Sequence, residues 1–404
     1  MRFFLGLFLR AVLALLVVAA AWSLDAAQRP AQSTYAAAAP APMADTLAPQ
    51  GQWMQSAHGH IPMPSDVPAA HASALLPMPA HDAAALTAFW FAGERESAPD
   101  VQIAASQWDR ASQTWSPAQF VVNRHAIGAQ LGFGLRRLGN PVGWLDAHGR
   151  MHLFVVATGW GGWAASRVLH LQQVAGTPSS ALLFEPLRVL PLSWLWNLSY
   201  LVRTAPLPLA DGGAVLPAYF ELGAKTPVAL RLDSKGQFLG MVRISRRTHT
   251  LQPALLATSA SDWLALLRDN GKDGKIRVSQ TLDAGRSWSD APDLALDNPD
   301  AGITALRVGG QNLLVYNPAT SNRQTLRLAS SPDGTTWTPV QDLEQGAPGQ
   351  EYSYPAMAWE GQSLWISYTD QRKSIAWRRL SWIHGGPDAQ PLAPPLDANT
   401  EAAP

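Results

Sequence analysis

The chain has 404 residues, enough for one large β or α/β domain or for two ordinary domains. Lysine plus arginine equals aspartate plus glutamate at 30 each, so the formal net charge is zero and nothing electrostatic favours nucleic acid or an acidic surface as partner. Cysteine is absent, which excludes disulfides, thiolate metal sites and cysteine nucleophiles. Tryptophan (17), proline (32) and glycine (31) are abundant, a mix that favours an all-β fold with many turns over a helical one.

The N-terminus reads MRFFLGLFLRAVLALLVVAAAWSLDAAQ. Arg2 opens it, an apolar run from Ala11 to Trp22 follows, and Ala19 and Ala21 form an A-x-A-like cleavage site. Residues 1–22 therefore read as a bacterial-style export signal, or as a membrane anchor if left uncleaved. The interruption at Arg10, and a run shorter than the ~20 residues of a spanning helix, favour cleavage. Either way the rest of the chain is expected outside the cytoplasm, periplasmic or secreted, with membrane contact only through that segment. Residues 23–68 are rich in Ala, Pro, Gln and Met without apolar period and are expected to form a flexible spacer. The tail, 384–404, reads the same way.

Between the spacers lies a repeat. Six apolar stretches follow a turn with Asp, Gly or Asn, and end near Glu94, Thr158, Glu221, Arg268, Tyr316 and Thr369. Each has a second apolar stretch just before it, so each pair reads as two antiparallel strands joined by a tight turn. One hairpin cannot bury both faces, but six sheets of about four strands around an axis can. The expectation for residues 69–383 is an all-β, six-bladed β-propeller of four-stranded antiparallel sheets.

The stretch TLDAGRSW, Thr281 to Trp288, nearly recurs as SPDGTTW, Ser331 to Trp337. Degenerate forms end at Trp115 and Phe238. Asp can accept backbone N–H bonds inside its own turn, Gly allows positive φ, and Trp fills space between sheets. A catalytic group is needed once, whereas a fold element is needed in every blade. Repetition therefore assigns these aspartates to the scaffold. H-E-x-x-H, metal-spaced histidines, phosphate loops and G-x-S-x-G are all missing, and the lone GFG at Gly132 to Gly134 is no nucleotide signature. No metal or other cofactor is expected.

The two turn motifs resemble the Asp-box repeat S/T-x-D-x-G-x-x-W, the second being one residue short between Asp and Trp. With FWFAGERESAPDVQIA, GNPVGWLDAHGRMHLF, LLRDNGKDGKIRVSQTLDAGRSW, NPDAGITALRVGGQNLLVYNP and EYSYPAMAWEGQSLWISYTDQRKSI, the chain resembles the sialidase-like (BNR) superfamily, and within it a bacterial group of predicted neuraminidases. That resemblance implies release of a terminal acidic sugar from a glycan. Three arginines would clamp the sugar carboxylate, as planar guanidinium suits planar carboxylate. A Tyr paired with a Glu would be the nucleophile and an Asp the acid/base.

Residue by residue, the resemblance puts Arg268 at the second clamp arginine and Arg323 near the third. Asp100 falls at the acid/base position, and Tyr352 at the nucleophile, with Tyr354 the nearby second choice. Tyr352 and Tyr354 alternate with Ser353 and are expected to share one face. Arg372 reads as a pocket cation or as a blade-to-blade salt bridge. Arg95, between Glu94 and Glu96, is expected near the pocket. The plainer reading of Arg268 is a pair with Asp269 or a neighbouring blade, and that of Asp100 is another turn aspartate. Arg203 fits no class.

Two positions depart from the pattern. No arginine stands in HASALLPMP, where the first clamp residue belongs, and His71 or Arg95 is the nearest substitute. Gln252 stands where the Glu partner of the Tyr should be, and Gln cannot serve as a base. The sequence thus supports two readings. One is an exported, sialidase-like exo-glycosidase acting on a terminal acidic sugar. The other is a non-catalytic propeller that binds envelope glycan or an exported protein.

Overall fold

The computed structural model describes residues 2–28, 36–39, 51–178, 180–193 and 195–384. Helix α1, Arg2–Gln28, precedes the sheets. Among the described residues no helix is long and apolar enough to cross a membrane.

Hydrogen bonding sorts the strands into six antiparallel sheets. The first blade is β2 (Ala69–Pro77), β3 (Ala84–Gly93), β4 (Gln102–Asp109) and β5 (Gln119–Val122); β1 belongs elsewhere, as described below. The second is β6 (Arg137–Leu145), β7 (Met151–Thr158), β8 (Ser166–Gln173) and β9 (Phe184–Val189). The third is β10 (Tyr200–Val202) with the short β11 (Leu207–Pro208), then β12 (Ala214–Phe220), β13 (Thr226–Leu232) and β14 (Phe238–Arg243). The fourth is β15 (Thr250–Ala257), β16 (Trp263–Asp269), β17 (Arg277–Thr281) and β18 (Ser289–Ala291). The fifth is β19 (Thr304–Val308), β20 (Gln311–Tyr316), β21 (Thr325–Ser331) and β22 (Thr338–Gln345). The sixth is β23 (Tyr352–Glu360), β24 (Ser363–Asp370), β25 (Ser374–His384) and, outermost, β1 (Gly51–His60).

First strands touch around the ring, β2 on β6, β15 on β19, β19 on β23 and β23 on β2, so they line the axis. Second strands lie between neighbouring blades and are covered on both faces. That is why β3, AALTAFWFAG, is buried at every position. The expected six-bladed propeller is the observed fold.

The start of the propeller is a correction. Gly51–His60 was expected in a spacer, yet it pairs with β25 from Gly51↔His384 to His60↔Ala376. This strand is half-exposed along its length, so GQWMQSAHGH carries no strong apolar alternation. Its partner lies more than 300 residues away, and only ring closure brings the two together. Trp108 and Trp115 of blade one meet Trp365 and Trp377 of blade six, with Trp108 5.0 Å from both Trp365 and Trp377. Ala36–Ala39 is placed as well: Ala38 N–H bonds Ala260 O and Ala39 N–H bonds Pro208 O, each at 2.9 Å. Residues 23–28 continue α1, and past β1 the buried Ile61 bonds Ile375 O through its N–H at 2.9 Å. Residues 29–35 and 40–50 of the expected spacer, and the tail beyond His384, lie outside the described residues.

The repeated turns are staples. Asp283 Oδ1 accepts Thr281 Oγ1 at 2.7 Å and the Ser287 N–H at 2.9 Å. Asp333 accepts the Thr335 and Thr336 N–H groups at 2.8 Å. Asp109 and Asp233 bond backbone N–H groups of their own turns in the same way. All four turns join third to fourth strands. They therefore sit at the end of the axis where first strands turn into second strands. At that end an apolar cavity of about 390 Å³ is lined by residues such as Leu255, Leu306 and Met357, and touched by Ala38 and Ala39. Gly132 of the GFG stretch, at φ 73°, ends a short helix, α2 (Arg124–Leu131), whose N-cap is Asn123.

Four first strands carry the same irregularity. Register slips between His71 and Ala74, Gly139 and Val142, Leu251 and Ala254, and Ser353 and Ala356. In each slip one residue adopts positive φ: Ala72 (56°), Asn140 (41°), Gln252 (48°) and Tyr354 (53°). Proline follows three of them, Asn140, Gln252 and Tyr354. A bulge leaves a residue without ladder partner, so a proline lacking N–H is tolerated there. These bulges re-aim side chains at the axis.

Candidate active site

The end of the axis opposite the staples is polar. Tyr354 and Gln252 reach it from their bulges, and Arg268 reaches it from the end of β16, paired with Leu251 across the ladder. Arg268 Nη1 donates to Gln252 Oε1 at 3.1 Å and to Tyr354 Oη at 3.2 Å. Its Nε bonds Asp300 Oδ1 at 2.6 Å, while Asn270 Nδ2 bonds the other Asp300 oxygen at 2.7 Å. Asp300 also has positive φ, 50°, at the entry to blade five. With its oxygen taken by Arg268, the buried Gln252 amide turns Nε2 to the two tyrosines. It donates to Tyr354 Oη at 3.2 Å and to Tyr219 Oη at 3.3 Å.

Outward from this centre the guanidinium groups continue. Arg323 Nη1 bonds Glu351 at 3.0 Å and its Nη2 bonds the Asp300 carbonyl at 2.8 Å. Arg372 grips both Glu351 oxygens, Nε to Oε2 at 3.0 Å and Nη2 to Oε1 at 3.1 Å, and its Nη1 pairs with Glu96. Burial pushes the Glu351 carboxyl up, but Arg372, Ser353 and Arg323 outweigh it and hold it down at about 2. Exposure grades outward: the side chains of Arg268, Arg323 and Arg372 are 11%, 20% and 40% exposed.

Arg203 and His71 form the floor. Arg203 lies just beyond β10, 7% exposed, and among the described residues donates only to backbone carbonyls, Nη1 to Ile303 and Nη2 to Pro355, each at 2.7 Å. Its guanidinium sits 5.0 Å from the Tyr354 ring centre. Burial lowers its pKa to about 10. The His71 ring lies 4.3 Å from that of Tyr354, and neither ring nitrogen has a hydrogen-bond partner among the described residues. Burial first, then Arg372, keeps His71 neutral, well below its ordinary value. Burial alone would push the Tyr354 hydroxyl up, but the Arg268 charge, the Gln252 hydrogen bond and Arg203 outweigh it, so it is lowered. Tyr219, buried and facing Glu221, is raised instead.

The structure sorts the sequence candidates. Arg268, Arg323, Arg372, Gln252 and Tyr354 come together. Arg268 pairs with Asp300 and not with Asp269, which belongs to Arg277. Arg95 is exposed at the rim and lines a small cavity with His71, Glu96 and Arg372. Asp100 is exposed on the same loop and accepts the Glu94 N–H at 2.7 Å, so it braces that loop.

Tyr352 is the correction. The bulge at Tyr354 breaks the alternation, and the two tyrosines do not share a face. Tyr352 points between blades five and six, 6.4 Å from the Tyr368 ring, in a cleft with Glu344, Asp370 and Arg378. Sequence reasoning missed Arg203, Tyr219, Asp300 and Glu351 as site residues. The signal for Asp300 was a proline beside the positive-φ residue, although in NPD it precedes that residue and in the bulges it follows. None existed for Arg203, whose neighbours in the site come from blades five and six. Among the described residues no three His, Asp or Glu side chains group to hold a metal ion.

An arginine-lined axial mouth on six four-stranded blades defines a sialidase-like propeller. The family model for the BNR repeat-like domain matches residues 84–366, and the chain belongs to that family. No curated protein sequence matches it. Among solved structures, it is similar to the Hadza microbial sialidase Hz136, at 16% identity and TM-score 0.62, covering 77% of this chain and 65% of that one. A Dyadobacter fermentans protein of unknown function is similar at 12% identity and TM-score 0.63, covering 82% and 99%. The Trypanosoma rangeli sialidase in complex with sialic acid is similar at 13% identity and TM-score 0.60, covering 83% and 59%. The chain thus spans less than two thirds of the length of these two sialidases. At such identities the likeness concerns the fold.

Proposed function

We propose that the protein is a glycoside hydrolase that removes a terminal acidic sugar from a glycan at the axial mouth. The observation that carries this reading is the convergence of Arg268, Arg323 and Arg372 with Tyr354 on one end of the axis. A sugar carboxylate would exchange places with Glu351 or Asp300 on these guanidinium groups, which suit bidentate contact. Tyr354, its hydroxyl proton released to solvent beforehand, would add through Oη to the anomeric carbon, and the leaving glycosidic oxygen would take its proton from Asp100. Water would then release the sugar from Tyr354 and return the proton to Asp100. The sialidases that share the fold make sialic acid the first sugar to test.

We infer from the N-terminal apolar run that the chain is exported, periplasmic or secreted, with residues 1–22 as signal or anchor. A reporter fused after residue 28 and active only outside the cytoplasm checks this.

The test of activity is turnover of chromogenic sialosides and uronides by the purified protein, with Arg268→Ala as control. The reading expects turnover, and a loss of about 10²–10³ in kcat on removing that donor. Asp100→Asn and Glu96→Gln, on one loop, decide which carboxyl delivers the proton. Absence of turnover on every substrate would sink the proposal. It would favour glycan binding without catalysis, a reading supported by Gln252 in place of a base and by arginines already neutralised by Asp300, Glu351 and Glu96.

A further inference from the structure

Two features of the axial centre do not fit an ordinary tyrosine. The first is hydrogen-bond polarity. Tyr354 Oη receives two donors, Gln252 Nε2 and Arg268 Nη1, and donates to nothing among the described residues. The Gln252 amide cannot be turned over to accept, because Arg268 already donates to its oxygen. A carboxylate at this position would take the tyrosine proton; the amide only supplies one.

The second is charge. Around Tyr354 the described charged groups pair off: Arg268 with Asp300, Arg323 and Arg372 with Glu351, and Arg372 also with Glu96. Arg203 is left over, buried, with no carboxylate partner and an unpartnered Nε. An unpaired buried charge is strongly disfavoured. The acidic group that acts on it most strongly is the tyrosine whose ring it covers at 5.0 Å. The other titratable groups facing Tyr354 do not cancel this charge: His71 is held neutral and Tyr219 keeps its proton.

We propose that Tyr354 rests as a phenolate at neutral pH, with Arg203 as its buried counter-charge and Gln252 and Arg268 as its hydrogen-bond donors. The proton goes to solvent, so no base is consumed. Arg203 is then a positioning residue that does electrostatically what the missing glutamate would do by proton transfer. The catalytic meaning of this state rests on the glycoside-hydrolase reading above; its test does not.

The test is carbon-13 NMR of the full chain labelled at tyrosine Cζ, whose shift separates phenol from phenolate. Seven tyrosines are present. One resonance is expected at the phenolate position at neutral pH. It should vanish in Tyr354→Phe and move to the phenol position in Arg203→Met. If Arg203→Met does not fold, Gln252→Glu reads the same equilibrium, because a carboxylate there restores an acceptor and should also return Tyr354 to phenol. Seven phenol resonances in the wild type, or a phenolate resonance that survives Tyr354→Phe, overturns the proposal. A folded Arg203→Met with the phenolate unmoved overturns the role of Arg203. None of these readings depends on whether any sugar is turned over.

Discussion

Gln252 donates to Tyr354 across the axis: its Nε2 lies 3.2 Å from the tyrosine oxygen, and its Oε1 is held by Arg268 at 3.1 Å. Two bulges, a hundred residues apart in the chain, make this contact, each by placing one residue at positive φ. Strained backbone persists only where the surrounding structure over-determines it, and here it aims both side chains at one point.

The two tyrosines of EYSYP should separate cleanly. Tyr354→Phe should lower kcat/KM on an accepted sialoside by at least about 10²-fold, the scale lost with one positioned catalytic group. Tyr352→Phe should leave it unchanged, because that ring lies between blades five and six. Steady-state kinetics of the two variants in parallel decide the assignment.

Arg268→Lys should not be conservative. A single ammonium cannot reproduce the Nε bond to Asp300 together with the Nη1 bonds to Gln252 and Tyr354. Affinity for a carboxylated sugar should fall by about 1.5–3 kcal/mol, roughly 10- to 100-fold, in titration calorimetry. The neutral analogue lacking the carboxylate should bind both forms equally weakly.

Asp283→Ala should cost stability and spare the site. Its carboxylate holds Thr281 and Ser287 within one turn at the opposite end of the axis. A loss of about 1–3 kcal/mol is expected in urea denaturation, with sugar affinity unchanged. A change in affinity would return this aspartate to the list of ligand contacts.

Ring closure can be tested at Trp377, which is buried against Trp108 and Trp365 at 5.0 and 5.3 Å. Trp377→Ala removes one of the two blade-six tryptophans that pack on Trp108 and Trp115 of blade one. It should destabilise the protein by about 3–5 kcal/mol, read as a lower urea midpoint.

Stability should fall on mild acidification. His71, His152 and His170 are lowered from 6.5, in each case chiefly by burial, His170 to about 2. Below about pH 6.5 the unfolded chain binds protons that the folded chain refuses, so stability is full above that pH and declines below it. His60 has the opposite sign: Asp370 raises it, and its contribution is present at low pH and lost as pH rises through its folded value. Its side chain is 47% exposed, so solvent screening keeps that effect small. Urea melts at pH 5 and pH 7 should show the decline. His170→Leu should reduce its slope by about 1.4 kcal/mol per pH unit.

Much of the architecture is legible in the chain itself. Paired apolar stretches and their turns recur at a steady interval, because every second strand is covered on both faces and every blade needs a closing turn. The aspartates of the third-to-fourth strand turns follow from that repetition. Arg268 and Gln252 could be placed opposite one another, because they flank a single hairpin. Local pattern suffices for each of these, since strand pairing between neighbours in sequence follows from alternation and turn residues.

The rest depends on closure of the ring. Gly51–His60 has too little apolar contrast to announce a strand, and it becomes one only against β25. Tyr354, and not Tyr352, faces the axis because a bulge interrupts the two-residue period, and no local signal measures a slip of register. Arg203 acquires its meaning only from Ile303, Tyr354 and Pro355, a hundred or more residues away. Sequence by itself determined which segments become blades and which aspartates hold them. Tertiary structure alone decided which charges meet at the axis, because charge neutrality of a buried site is a sum over strands that only the closed ring brings together.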